Sequence, residues 1–149
     1  MRAVVTRVLS ASVTIDGKRT AEIKNGFLVL LGVKCGDTKT QAVKMADKIC
    51  GLRIFEDENG KMNINPKDAG AQLLIVSQFT LYADCSSRRP GFTYAARPEV
   101  SEPLYELVVS ECRGRGFEVQ TGSFGADMKV ESVNDGPVTI LLDVDAPEK

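Results

Sequence analysis

Seven consecutive residues, Phe27-Leu28-Val29-Leu30-Leu31-Gly32-Val33, contain no polar or charged side chain. A strand with one wet face alternates apolar and polar residues, so an unbroken apolar run is a strand covered on both faces. Leu73-Leu74-Ile75-Val76 repeats the pattern. Two doubly covered strands need packed material above and below them. The first of two helical patterns lies between them, and many short strand patterns surround them. That combination argues for a layered domain of mixed α/β, α+β-like class.

The remaining elements follow from turn chemistry and periodicity. Ala3 to Val8 and Ser12 to Ile15 read as short strands. Asp16-Gly17 and Asn25-Gly26 are two-residue hairpin patterns, and Asn59-Gly60 is a third, between Leu52–Phe55 and Lys61–Asn63. Asp37 or Thr38 can cap a helix with Ala42, Met45, Ala46 and Ile49 on one face, stopped by Gly51. A second helix is expected from Glu102 to Arg113, with Leu104, Leu107, Val108 and Cys112 inward. Residues 1–149 are expected to form one domain, with 146–149 a short polar tail.

Near the end, Met128 to Val133 and Val138 to Val144 alternate like half-buried strands, separated by Asn134-Asp135-Gly136-Pro137. Asn, Asp, Gly and Pro are the usual turn residues, so these four alone read as a hairpin turn. Proline cannot donate to a ladder, and here it sits where a strand should continue.

Composition narrows the chemistry. Nineteen basic side chains face twenty acidic ones, for a net charge of −1, so no global field points to a polyanion. Nucleic-acid binding would need a local patch. The chain has no histidine, which removes Ser-His-Asp and Cys-His arrangements and the commonest neutral-pH base. The four cysteines, Cys35, Cys50, Cys85 and Cys112, form no C-x-x-C pair. They read as reduced thiols without a metal, and Cys50 and Cys112 read as small buried hydrophobes. Met1-Arg2-Ala3 enters a strand pattern at once and no run reaches membrane-spanning length, so a cytoplasmic protein is expected.

Three segments could carry chemistry. Ser77-Gln78-Phe79-Thr80 stands where a buried strand ends and side chains emerge from rigid support. Its hydroxyls could be nucleophiles or hydrogen-bond donors, but an unassisted alcohol is a poor nucleophile. Such a site suits a labile substrate, an activated ester rather than an amide, held and polarised by backbone N–H groups. Ser86 to Tyr94, with Arg88, Arg89 and Phe92, interleaves arginine with aromatics and could grip phosphates or stack on bases; it could equally be a solvated loop tip. Asn134 to Pro137 is the third.

Together these segments resemble the D-aminoacyl-tRNA deacylase family. Ser77-Gln78-Phe79-Thr80-Leu81 matches one signature of that family and Asn134-Asp135-Gly136-Pro137-Val138-Thr139 the other. The likeness extends through Arg53-Ile54-Phe55, Gly60-Lys61-Met62-Asn63, Arg89-Pro90 and Thr121 to Met128, essentially the whole chain. It implies a three-layer β/β/α sandwich with a mostly antiparallel strand set and two main helices. It also implies a homodimer acting on aminoacyl-tRNA at its acceptor end, without cofactor or metal. The reaction implied is hydrolysis of the ester between a D-amino acid, or a mischarged glycine, and the tRNA 3′ end. Ser77, Gln78, Phe79 and Thr80 would form the catalytic floor, with Thr80 as nucleophile or positioner. Phe124 and Met128 would line the pocket and Arg89 would contact the RNA. Gly136 and Pro137, joined by a cis bond, would enter the partner's pocket and exclude L side chains, with Asn134 and Thr139 bracing the turn. The chain departs from the family at Ser86-Ser87, where Lys-Gly is common, and at Gly91.

Two rivals remain at this point. A small-molecule esterase on the same fold would turn over simple activated esters, and a non-catalytic RNA-binding module would bind tRNA whatever its amino acid.

Overall fold

A computed structural model describes residues 1–145, so the polar tail at 146–149 lies outside the described residues. The frame is a six-stranded sheet built around β1 (Arg2–Ile15). β1 turns at Asp16-Gly17 into β2 (Lys18–Ile23), and both turn residues adopt positive φ, 50° and 76°. β2 pairs with residues 11–15 of β1, and β3 (Gly26–Gly32) pairs with residues 2–8. The two lie end to end along one edge of β1, so Asn25-Gly26 is not a hairpin. It is a break within a single return arm. β1 is likewise one strand, not two.

The break has a packing cause. Gly26 is level with Gln72 of β6 (Gln72–Ser77), and a Cβ on it would stand 1.8 Å from the Gln72 carbonyl oxygen. Gln72 donates its backbone N–H to Asn25 O and accepts Lys24 N–H on its side chain. β6 runs parallel to β3, and β7 (Val119–Thr121) runs parallel to β6; the other strand pairs are antiparallel. β8 (Lys129–Asp143) pairs with β1 along its other edge. A small hairpin of β4 (Phe55–Glu56) and β5 (Met62–Ile64) turns at Asn59-Gly60.

Both faces of β3 and β6 are covered, as their composition requires. Phe27, Val29, Leu31, Leu73 and Ile75 face α1 (Lys39–Cys50) and α2 (Pro98–Gly114). Leu28, Leu74 and Val76 face Ala21 and Ile23 of β2 and Val8, Ala11 and Val13 of β1 in a second core. The sheet therefore folds over itself at the β2–β3 break, and the layers are β, β and α.

α1 begins at Thr38 with a capping box, Thr38 Oγ1 accepting from Thr40 N and Gln41 Oε1 from Thr38 N. Asp37 turns inward to accept Lys34 N–H and to pair with the Met1 ammonium at 2.9 Å. α2 begins at Pro98, four residues before the expected start at Glu102. Arg97 is extended, Pro98 takes the first helical position, and Pro103 sits on the exposed side of the second turn. Tyr105 then donates to Ile75 O at 2.6 Å, tying α2 to β6.

Gly26→Ala is expected to lower stability by about 3 kcal/mol or more, because the new Cβ meets backbone that cannot move aside. Urea unfolding, compared with an exposed control such as Gly91→Ala, where an added Cβ meets nothing within 4 Å, measures it.

Candidate active site

The doubly covered strand β6 ends at Ser77, level with Leu31 of β3. Gln78 N–H donates to Leu31 O at 2.8 Å, and the chain then enters a 3-10 turn, Phe79–Tyr82. Gly32 lets this turn settle on the end of β3. A Cβ there would stand 3.0 Å from Gln78 O and 3.1 Å from Leu81 Cβ. Tyr82 is buried beneath the turn, so the segment rests on core at both ends.

Ser77, Gln78 and Phe79 form one wall of a cavity of about 560 Å³. The facing wall is residues 124–128 with Val130, and Phe92, Ala96 and Ser101 close the sides. Phe79 meets Phe92 edge-on at 5.1 Å and remains 55% exposed, so the rim itself is aromatic. Phe124 packs at 6.2 Å from Tyr105, which fixes it to α2. Met128 folds back over Gly122, where a Cβ would lie 2.4 Å from its sulfur. Phe124 and Met128 are each half-buried, part of the cavity wall and part of the core.

Thr80 is exposed and does not line the cavity. Its hydroxyl accepts a short hydrogen bond from the Gln78 side-chain amide. An amide N–H donor is no base, so this contact orients the hydroxyl without activating it. Asp127 is the carboxylate on the cavity wall, and it pairs with Lys129 Nζ at 3.1 Å. What the turn does offer is backbone: the leading N–H groups of a helical turn have no acceptor within it.

Asn134 to Pro137 is not a hairpin turn but a bulge within β8. Thr6 faces Thr139 and Val8 faces Asn134, so two steps along β1 span five along β8. The Gly136-Pro137 peptide is cis, Gly136 has φ of 135°, and both residues are exposed. Asn134 spans the bulge, accepting Val138 N–H at 3.0 Å and donating to Thr139 Oγ1 at 3.2 Å. From below, Arg7 donates to Asp135 O at 3.1 Å and to Ile54 O at 2.6 Å. Gly136 and Pro137 do not line the cavity of their own chain.

Arg89 also lies away from the cavity, in an exposed loop, and among the described residues its guanidinium makes no ion pair. That loop is ordered by Asp84, whose carboxylate accepts Ser86 N–H at 3.0 Å while its backbone pairs with Gly91. The bond from Ser86 holds the Asp84 pKa below the ordinary carboxylate value.

Arg7 is a further residue of the site, and it belongs to neither signature segment. It falls in the inward phase of β1, after Ala3 and Val5, and is only 4% exposed. A charge in a buried phase was the available clue.

A model of the D-Tyr-tRNA(Tyr) deacylase family matches residues 4–143. The chain belongs to that family. D-aminoacyl-tRNA deacylases of Clostridioides difficile and Thermosipho africanus are 56% and 53% identical, each over 96% of this chain and 97% of theirs. Among solved structures, a c-Myc DNA unwinding element binding protein superposes with a TM-score of 0.92 at 41% identity, covering 98% of this chain and 100% of that one. A probable eukaryotic D-amino acid tRNA deacylase superposes with a TM-score of 0.84 at 15% identity over 96% of this chain and 98% of that one, a likeness of fold. The deacylase family's match spans both β6 with its turn and the β8 bulge.

Replacing Arg7 with methionine removes the donors beneath Asp135 O and Ile54 O and is expected to cost about 2–4 kcal/mol. Hydrogen exchange should show the Val138 amide losing protection more than amides of β6, as the bulge loosens first.

Proposed function

We propose that this chain is a D-aminoacyl-tRNA deacylase, hydrolysing the ester that joins a D-amino acid, or a mischarged glycine, to the tRNA 3′ end. The observation that carries the reading is the family match over residues 4–143, which includes both the cavity turn and the β8 bulge. The described residues also contain no helix long and apolar enough to cross a membrane, in keeping with a cytoplasmic protein acting on tRNA.

In this reading the terminal adenosine and the aminoacyl group enter between Phe79 and Phe124–Met128. Backbone N–H groups of the Phe79–Tyr82 turn hold the ester carbonyl oxygen as it gains charge. Water adds to the acyl carbon, assisted by the neighbouring ribose hydroxyl, the ester C–O bond breaks, and a proton passes to the departing ribose oxygen. Thr80 positions, through Gln78, rather than attacks. An ester needs little more than this placement, which suits a site without histidine.

The stereochemical gauge is Gly136-Pro137, acting in a second copy of the chain. Two features support a homodimer. The exposed bulge lies outside its own cavity, and among the described residues β8 pairs only with β1, leaving an edge strand with Val133 53% and Leu141 60% exposed. Seated in the partner's cavity, the Gly136 and Pro137 carbonyl oxygens accept from the substrate α-amino group. An L side chain then runs into the pair, while a hydrogen there does not. Arg89 and its loop meet the RNA backbone.

Matched D- and L-tyrosyl-tRNA, assayed with EDTA present, test the reading. Release from the D ester is expected to exceed release from the L ester by about two orders of magnitude or more. Equal release at the buffer rate from both would sink it. Thr80→Ala is expected to lower kcat by less than about tenfold, where loss of a nucleophile would take it down roughly ten-thousand-fold. Gly136→Ala places a Cβ 2.7 Å from Val138 Cγ2 at a φ of 135°, and is expected to raise turnover of the L ester relative to the D ester.

A further inference from the structure

The chain has six Phe, three Tyr and no Trp, and its nine aromatic rings sort into two groups. Six are buried or half-buried in the core. The other three, Phe79, Phe92 and Tyr94, are exposed, and the fold gathers them at the mouth of one cavity. Single apolar residues on a surface are ordinary, whereas a cluster of large ones marks a contact surface.

Phe79 and Phe92 line the cavity itself. Tyr94 belongs to a tight turn, Phe92-Thr93-Tyr94-Ala95, closed by Ala95 N–H donating to Phe92 O at 3.2 Å. Both ends of that turn, Phe92 and Ala95, are on the cavity wall. The turn is tied to the segment that follows β3. Cys35 N–H donates to Tyr94 O at 2.8 Å, Ala96 N–H donates to Val33 O at 2.9 Å, and Lys34 bridges to Ala95. The Tyr94 backbone is therefore fixed while its side chain is 53% exposed. Among the described residues no aromatic ring stacks on it and no guanidinium lies over it. A ring held in place and left uncovered is pre-organised for stacking.

The identity of the occupant rests on the deacylase reading above. A cavity of about 560 Å³ has the size of a site for one small ligand. With the terminal adenosine and its aminoacyl group inside, the rest of the unpaired C-C-A end leaves over the rim. Tyr94 is two residues from Phe92, so at most about 7 Å separates their Cα atoms. Stacked nucleotides follow one another at about 3.4 Å, so the nucleotide before the terminal adenosine comes within reach of Tyr94. The charge fits a phosphate backbone there. Residues 84–97 carry Arg88, Arg89 and Arg97 against a single carboxylate, Asp84, in a chain of net charge −1. Arg97 stands three residues beyond Tyr94, and its Glu99 partner is 3.8 Å away with both side chains exposed. Such a pair contributes little and gives way readily to a phosphate.

We propose that Tyr94 is a second stacking site for the tRNA end. It takes the base of the nucleotide that precedes the terminal adenosine, and Arg97 meets the phosphate that joins the two. Every base has a π face, so the contact adds affinity without reading sequence. It acts on binding of the acceptor end and leaves the chemistry to the cavity.

The absence of tryptophan makes a direct test available, since Tyr94→Trp introduces a lone fluorescent reporter. Its emission is expected to be quenched by the dinucleotide cytidylyl-3′,5′-adenosine and not by adenosine. Quenching by neither, or by both alike, would overturn the proposal. In steady-state kinetics, Tyr94→Ala is expected to raise KM for D-tyrosyl-tRNA about fivefold or more with little change in kcat, and Tyr94→Phe to keep it near the original. The loss should be several-fold smaller on D-tyrosyl-adenosine, which lacks the second nucleotide. An equal loss on both substrates would put Tyr94 at the cavity instead and overturn the proposal. So would a change of oligomeric state in Tyr94→Ala, which would show the rim to be covered by a second copy. Arg97→Gln should lower the slope of log affinity against log salt by about 0.7, one phosphate on a single strand, and an unchanged slope would overturn the role of Arg97. If the unmutated protein hydrolysed neither D-tyrosyl ester, the deacylase reading would fall, and the dinucleotide quenching alone would decide the stacking site.

Discussion

β1 is hydrogen-bonded along both edges for nearly its whole length, and every other placement refers back to it. β8 runs along one edge, while β2 and β3 share the other end to end. Where the return arm breaks at Gly26, against the backbone of Gln72, the sheet turns over and its two halves face each other. One glycine contact therefore converts a long ribbon into two layers. It also places β6 where both of its faces are dry.

The same strand relates the two signature segments. β3, paired to the first half of β1, ends beneath the Phe79–Tyr82 turn and holds it through Leu31 O and the bare face of Gly32. The β8 bulge rises over Thr6 to Val8 and is held by Arg7. Both segments are supported from regular structure, and neither depends on a long loop for its position. What emerges is a cavity with aromatic and aliphatic walls, a fixed strand end and the start of a turn along one of them, and no free acid–base side chain among the described lining residues. Such a site works by placement.

The layered fold was legible because burial on both faces leaves an unmistakable composition in Phe27–Val33 and Leu73–Val76. Asp16-Gly17 and the Thr38 cap were legible because their chemistry is local. Asn25-Gly26 misled, since the residues that favour a hairpin also favour a kink, and only Gln72, forty-six positions after Gly26, decides between them. Asn134 to Pro137 misled in isolation for the same reason: β1 pairs on either side of it, and a bulge and a turn use one vocabulary. The start of α2 at Pro98 was hidden because the apolar pattern that marks the helix is clear only from Leu104, while Arg97 and Pro98 set its first turn. Of the site residues, Ser77, Gln78, Phe79, Phe124 and Met128 share one cavity, while Thr80, Arg89, Gly136 and Pro137 stand outside it. Juxtaposition within a chain could not be read from order along it.

One wall of the cavity is the strand end Ser77 to Phe79, which runs into a four-residue turn offering its main chain. Main-chain groups are the same in every amino acid except proline, so truncating side chains one at a time leaves such donors intact. A scan of that kind would score the turn as tolerant while its function stayed whole. The sensitive variables are those that bend the path: an inserted residue, a proline that deletes an N–H, or bulk at Gly32 beneath. Selection on a site of this sort acts on the shape of the chain, and residue identity matters where it sets that shape.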